Sequence, residues 1–517
     1  MTYGDGRDQG LPGVAVLVAM QGVVAAASLV VEIVAGRMLA PYVGMSLYTW
    51  TSVIAVVLAG FSAGHWAGGR MAEAPPRRAL LLTGWSMAGA ALSTAAAVFV
   101  LRLAAGPVIA AMQSPVGAIV ALSMLVFFLP SFFAGIPAPV LAQIAVLARP
   151  GQTGRALGAM FAAGAVGAIG GTLLAGFLFI SWLGSAGTLA AVTAAYAGLA
   201  ALCFALAGRI APVGRWAVLG LAVLLPLGVA GAGLARPDPC TEESDYFCIR
   251  VIEEPGAPGV GPTRLMVLDH LVHGISSRDN PSEMLTYHAA ALDALARARM
   301  AGRDRFGAFF IGGGTYSIPR SWAATRPGAE VTVAEIDPVV TRVAAREFWF
   351  DPASARVLND DARRALLTRP DSYDVIIGDA FTDIAVPPHL ITREFFELVE
   401  SRLTGEGIYL MNVIDHMDRL QALTAIARTL GEVFPVVEIW ANPDAIGVEN
   451  RQVFILLAGR SASPFSALRT LSPEGYRVVR FARDARDQLL AETASPVLTD
   501  NYAPIDRLLG HGDWAER

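Results

Sequence analysis

Lysine is absent from this chain: all 39 of its basic side chains are arginine. Coding bias accounts for that better than chemistry does. Against 44 acidic residues the formal net charge is −5, which argues against a nucleic-acid partner. Charge of either sign is scarce: 16% of residues are charged and 54% are hydrophobic, where a soluble domain carries about 25% charged. The deficit is uneven. Residues 11–235 hold little charge, whereas 236–517 have an ordinary soluble composition. The shift near Ala235–Pro239 divides the chain into an expected transmembrane helical domain, 1–236, and a soluble domain, 237–517. Cysteine is also scarce, with Cys203 in an apolar run and Cys240 and Cys248 at the start of the soluble part. No CxxC or Cys/His pattern exists, so no metal is expected.

Long apolar runs dominate the first half. A helix rises about 1.5 Å per residue, so roughly 20 apolar residues cross a ~30 Å hydrocarbon core. Seven runs qualify, near 12–36, 47–69, 79–103, 117–147, 153–181, 187–208 and 214–235, which makes a lipid bilayer the first expected partner. The first is too long for a cleaved signal peptide. Pro130, Pro137 and Pro139 interrupt 104–148, which reads as one kinked helix or two short ones. Arg70, Arg77, Arg78, Arg149, Arg155, Arg209 and Arg215 fall in alternate loops, against Arg37 and Arg102 in the others. That asymmetry places the N-terminus in the cytoplasm, and seven spans then put the soluble domain on the opposite face. Splitting 104–148 into two spans would reverse the outcome. The localisation is therefore a multi-pass cell-membrane protein with the face open. Glu32, Arg37 and His65 lie within spans, where an ionisable group marks either a functional site or a packing pair. Gly64–Arg78 and Pro137–Gly158 loosely resemble loop and helix segments of one six-helix half of a major facilitator transporter.

From Tyr246 the pattern changes to short strands and amphipathic helices. Phe247–Ile252 and Arg264–Leu268 read as a hairpin and 282–300 as a helix. Strands follow at Phe306–Ile311, Val331–Glu335, Arg356–Leu358, Tyr373–Gly378, 407–413, 435–440 and 451–458, with helices at 338–347, 392–403 and 416–433. Strands alternating with helices imply a mostly parallel sheet covered on both faces. The fold class is thus an α-helical multi-span membrane domain followed by an α/β Rossmann-like domain, class I methyltransferase or spermidine synthase in type, with an N-terminal β-hairpin.

The chemistry-bearing motifs sit at strand ends, where such sheets bind ligands. Ile311 runs into Gly312, Gly313 and Gly314, whose lack of a Cβ lets a cofactor approach the backbone. Glu335 follows Gly314 by 21 residues, the spacing of an acid that takes a ribose diol. Asp360 and Asp361 end the third strand, where a carboxylate accepts from an adenine amino group, and Asp379 ends the fourth. Three acidic strand ends after a glycine turn form a constellation for an adenosyl cofactor. The competing reading makes them helix N-caps.

On these residues the segment 240–510 resembles the spermidine synthase family, particularly its membrane-fused members. The resemblance rests on Leu268-Asp269, Tyr287-His288, Ile311 to Gly314, Glu335-Ile336-Asp337, Asp361 and Tyr373 to Asp379. It implies an aminopropyltransferase using decarboxylated S-adenosylmethionine. Glu335 would hold the ribose, Asp361 the adenine, and Asp379 would act as the catalytic group that deprotonates or orients the amine. His273, Tyr287, His288, Tyr316 and Asp383 would line the amine site. A homodimer is compatible with this reading. Four positions depart from the family pattern. Thr315 stands for an acid after the glycines, His273 for a glutamine (with His270 for a glycine), Ala289 for the acid after Tyr-His, and Thr382 for a second acid that shifts to Asp383.

Three functions follow. One is a membrane-bound transferase moving an aminopropyl group to a small-molecule amine. A second is a methyltransferase using S-adenosylmethionine. The third is a transporter or ligand-sensing membrane protein whose soluble domain is not catalytic. The fold alone does not choose among them.

Overall fold

The computed structural model describes residues 11–112, 114–208, 217–256, 260–381, 386–447, 450–471 and 475–509. Two compact units divide between Pro239 and Cys240.

The first unit is helical. Its elements are α1 (Val14–Val43), α2 (Leu47–Ala72), α3 (Pro76–Ala111), α4 (Pro115–Gly135), α5 (Pro137–Leu147), α6 (Thr153–Leu174), α7 (Ile180–Ala207) and α8 (Ala217–Leu234). Six helical runs among the described residues are long and apolar enough to cross a membrane. Residues 115–147 are one run, kinked where Ile136 meets Pro137, so 104–148 holds the end of α3 and a single apolar run of membrane-crossing length. The segments 153–181 and 187–208, expected as separate spans, form one 55-residue run. That run would be about 80 Å long if straight. Gly184, at φ 65° and ψ 178°, breaks it. Phe204 then packs on Gly84 and Trp85 near the start of α3, so α7 has doubled back.

Small residues permit close approaches between these helices. A Cβ on Gly167 would lie 2.1 Å from the Gly22 carbonyl oxygen, and one on Gly171 2.2 Å from that of Ala26. Gly64 and Gly68 on α2 have the same relation to the Phe132 and Ile136 carbonyls. Glu32 and Arg37 are both half-buried on α1. His65 is exposed.

The second unit opens with a four-stranded antiparallel sheet rather than a hairpin: β1 (Glu242–Glu243), β2 (Cys248–Glu254), β3 (Thr263–Leu268) and β4 (Leu271–Ser277). Asp269, at φ 54° in the β3–β4 turn, accepts the Cys248 N–H at 2.9 Å. Asp tolerates the left-handed conformation such turns need, and here its side chain ties the turn to β2.

The main sheet has nine strands, in the order β12, β13, β10, β11, β9, β8, β5, β6, β7. They are β5 (Phe306–Ile311), β6 (Ala329–Ala334), β7 (Arg356–Leu358), β8 (Tyr373–Gly378), β9 (Leu403–His416), β10 (Val436–Ala441), β11 (Arg451–Gly459), β12 (Ala467–Arg469) and β13 (Arg477–Arg480). Strands β5 to β9 are parallel and β11 runs antiparallel to β9. Seven strands give the Rossmann-like, methyltransferase-type sheet, and the β12–β13 hairpin extends it beyond the seven expected. Phe309 and Ile311 bury on one face with α13 (Arg393–Arg402) and α14 (Gln421–Gly431). Ala308 and Phe310 bury on the other with α9 (Tyr287–Arg299), α10 (Ser317–Thr325) and α11 (Pro338–Glu347). Two-sided burial explains why these strands read as continuous apolar runs. From β5 the chain steps outward to β6 and β7, then returns to β8 and β9 on the other side. The crevice at this reversal lies at the carboxyl ends of β5 and β8.

Candidate active site

One cleft of about 340 Å³ opens at that reversal. The sheet order arranges its floor. Asp360 and Asp361 lie past β7, Glu335 past β6, Gly312 to Gly314 past β5, Asp379 past β8, and Asn412, Ile414 and Arg451 at β9 and β11. Tyr246, Phe247, His273 and His288 also line it.

The glycine turn is shaped by two demands, positive φ and steric room. Gly312 has φ 93° and Gly314 φ 51°, both in the left-handed region. A Cβ on Gly313 would strike the Tyr316 ring at 2.4 Å. Glu335, 6% exposed, accepts the N–H groups of Gly313 at 2.8 Å and Asp337 at 2.9 Å. Burial pushes its carboxyl up from the usual range, opposed by those N–H donors. A carboxylate has about four acceptor sites, so capacity remains for a diol.

Asp337 caps α11 through Val339 N–H and takes the Ser244 hydroxyl at 2.5 Å. Asp361 caps α12 (Ala362–Thr368) through Arg364 N–H, while its other oxygen sits 2.8 Å from His389 Nε2. Asp360 accepts from the Arg364 guanidinium at 2.7 Å. Capping and cleft lining thus coincide in Asp361.

Asp379 is 28% exposed, toward the cleft it lines. Its Oδ1 accepts Asn412 Nδ2–H at 3.1 Å, and its Oδ2 lies 3.9 Å from His288 Nε2. Desolvation raises its pKa, which His288 and the Asn412 amide oppose. The imidazole of His273, driven down to about 4 by burial and by its neighbours His288 and His270, is neutral near pH 7.

The structure brings Gly312, Gly313, Gly314, Glu335, Asp360, Asp361, His273, His288 and Asp379 to one cleft. It excludes two others. Tyr316, at φ 55°, turns its ring beneath the loop, stacks on Phe350 at 4.1 Å and bonds Thr341 at 2.7 Å, with no exposure. Tyr287 starts α9 and packs edge-on against Tyr476 at 5.6 Å, away from the cleft lining. Asp383 lies outside the described residues. Phe381 walls the cleft, whereas Tyr316 does not.

Sequence reasoning missed Asn412, although it is the one polar residue in the run Ile408–Ile414. Thr315, noted in the sequence as standing for an acid, pairs with Ser317, and their hydroxyls are 2.7 Å apart in the cleft wall. Gly274 on β4 makes room for Thr315, since a Cβ there would meet its hydroxyl at 2.4 Å. A further wall is stapled: Cys240 and Cys248 are disulfide-bonded, with Cα atoms 5.2 Å apart, and the loop they close carries Tyr246 and Phe247.

No family model matches the chain. It is 27% identical over 266 residues to a probable polyamine aminopropyl transferase of Bifidobacterium longum, covering 48% of this chain and 58% of that protein. It is 39% identical over 107 residues to a polyamine aminopropyltransferase of Vibrio vulnificus, covering 20% and 35%. The crystal structure of a probable spermidine synthase from Corynebacterium glutamicum superposes on 51% of this chain and 97% of its own, with 22% identity and a TM-score of 0.43. The chain therefore spans little more than half the length of the first of these relatives and about a third of the second. Over part of its length it is homologous to the polyamine aminopropyltransferases, which include the spermidine synthases.

Proposed function

We propose that the unit from Cys240 onward is a transferase of the aminopropyltransferase type, bound to a membrane by residues up to Pro239, with an adenosyl sulfonium as co-substrate and an amine as acceptor. One observation carries the reading: the glycine turn, the second-strand acid and Asp379 open into a single cleft at the strand-order reversal. Adenosine fits between Asp361 and Glu335, which leaves the sulfonium near the glycine turn and the acceptor beside Asp379. In the reaction the amine lone pair forms the new N–C bond as the C–S bond breaks. The sulfur leaves as an uncharged thioether, and the proton lost by nitrogen passes to the Asp379 carboxylate. Aligning the two reactants is itself a large part of such catalysis.

A second reading is favoured by Thr315 and Ser317. Hydroxyls in place of an acid do not repel a donor that keeps its carboxylate, which is the methyltransferase case. The full-length protein in detergent, given each donor separately with an amine, separates the two. Thioether release with the decarboxylated donor and a product heavier by an aminopropyl group supports the first. Release with the carboxylated donor and a methylated product replaces it. Glu335→Ala should weaken thioether-nucleoside binding by roughly 1.5–3 kcal/mol, one charged hydrogen bond or more. Unchanged affinity would remove Glu335 from the site.

The membrane and its face belong to the same proposal. Arg70, Arg77, Arg78, Arg149 and Arg155 fall at the α2–α3 and α5–α6 connections, whereas the chain leaves α8 at the other end of the bundle, where Arg102 bonds the Pro237 carbonyl at 3.1 Å. With a disulfide following at once, these support a soluble unit on the non-cytoplasmic face.

A further inference from the structure

The adenosine end of the cleft is lined by a residue that no sequence motif points to, His389. It stands in the single turn Pro388–Leu390, between Asp379 and α13. Its backbone is held independently of its ring. Arg363, on α12, bonds the His389 carbonyl through Nη1 at 3.1 Å, and the same guanidinium forks onto both oxygens of Asp500 at 2.7 and 2.6 Å. Asp500 also takes the Thr392 hydroxyl at 2.7 Å, and Thr392 caps α13 through Phe395 N–H. The chain that carries the imidazole is therefore tied to two helices.

The ring itself reaches Asp361, which also lines the cleft. Nε2 of His389 lies 2.8 Å from Asp361 Oδ2, and because a carboxylate only accepts, that nitrogen carries the hydrogen. Asp361 Oδ1 accepts Arg364 N–H at 2.9 Å. Each oxygen is thus held by one donor, and two points fix the plane of the carboxylate. A bond to Oδ1 alone would leave rotation about Cβ–Cγ, a torsion with broad preferences. A carboxylate has about four acceptor positions. Two are taken here, and the other two keep a fixed direction. The neighbouring Asp360 instead faces two guanidinium groups, Arg364 at 2.7 Å and Arg369 at 3.7 Å. Of the two acids, Asp361 is therefore read as the acceptor for the nucleobase.

We propose that His389 is a positioning residue for donor recognition: its Nε2–H aims the Asp361 carboxylate at the exocyclic amino group of a 6-aminopurine, and so sets selectivity for adenine over a 6-oxopurine. A 6-oxopurine presents a carbonyl oxygen at that place, an acceptor facing a group that also only accepts. A site built to hydrogen-bond one ligand group rejects the analogue that lacks it, because the protein partner is then left unpaired. How sharply it does so depends on how firmly the partner is held, which is the part His389 plays. The inference rests on the reading of Asp361 and Glu335 as the adenosine site.

The test titrates the full-length protein in detergent with two thioether nucleosides, methylthioadenosine and its 6-oxo analogue methylthioinosine, and reads both affinities by calorimetry. The unaltered protein is expected to favour the adenine compound by at least about tenfold, the scale of one hydrogen bond to a charged group. His389→Ala should cut that ratio by about tenfold. His389→Gln, whose amide N–H can stand in for Nε2–H, should restore most of it. Melting temperatures are measured alongside, because a merely structural His389 would lower stability and both affinities together and leave their ratio alone. A ratio near one in the unaltered protein, or an unchanged ratio in His389→Ala, would overturn the inference while leaving the adenosine site in place. Binding of neither nucleoside by the unaltered protein would instead overturn the reading of that site, and this inference with it.

Discussion

Asp379 shows how one residue acquires a role from its surroundings. The apolar run Val375–Ile377 drives β8 into the sheet, and the next turn leaves the carboxylate at its edge. There it is partly desolvated and holds Asn412. A raised folded-state pKa means the ionised form is penalised, so protonation favours the folded protein as pH falls through that value. Transfer needs the ionised form, so activity should rise with pH through a value above the ordinary carboxylate range. His273, neutral down to about pH 4, does not supply that limb. Asp379→Asn should cost roughly 10²–10⁴-fold in rate, shift no melting temperature downward at pH 7, and leave nucleoside binding in place. Retained activity would reduce Asp379 to a turn cap. The identity and order of these residues were legible in sequence. That Tyr287 and Tyr316 turn away was not, because their directions depend on a left-handed backbone at Tyr316 and on packing against Phe350 and Tyr476, all remote in sequence.

At the scale of elements, the loop 240–248 and the glycine contacts of the helical unit matter most. The disulfide closes a short loop whose Ser244 latches Asp337, next to Glu335, and whose Tyr246 and Phe247 wall the cleft. Replacing both cysteines by serine should destabilise the unit by about 2–3 kcal/mol, as expected for so short a closed loop. It should also weaken nucleoside binding, which calorimetry on the oxidised and doubly substituted proteins would read. An unaltered melting temperature would mean the loop is held by its hydrogen bonds alone. In the helical unit α1 and α6 meet backbone to backbone at Gly22–Gly167 and Ala26–Gly171. Gly171→Leu cannot be absorbed by a rotamer change, because the obstacle is a carbonyl. It should cost about 3 kcal/mol, the upper end for overpacking, and appear as loss of the monodisperse protein on size-exclusion chromatography. Gly170→Leu, with open space at its Cβ, should be tolerated.

For the whole molecule the consequential question is which face carries the cleft. Six apolar runs would make seven passes, because Gly184 folds the longest back on itself. With the arginine-rich connections inside, a reporter fused after Arg517 should be active only if it works outside the cytoplasm, and a thiol reagent confined to the outside should label the Cys240/Cys248 pair after reduction. Activity of a cytoplasm-only reporter would reverse the assignment. If the cleft faces outward, the proposed adenosyl donor would have to be supplied on that side.

Composition alone separated the apolar half from the half of ordinary charge, since runs of 20 or so apolar residues recur in the first and not in the second. Alternation of strand and helix signals, with glycines and acids at strand ends, fixed the Rossmann-like class and most of the cleft, because those residues serve local backbone geometry as well as ligand. Tertiary structure decided what depends on distant partners. It reversed α7 at Gly184, extended the sheet to nine strands and gave four strands to the leading sheet. It also paired Asp379 with Asn412, 33 residues away. No local pattern encodes that pairing, which follows only from β8 and β9 lying side by side.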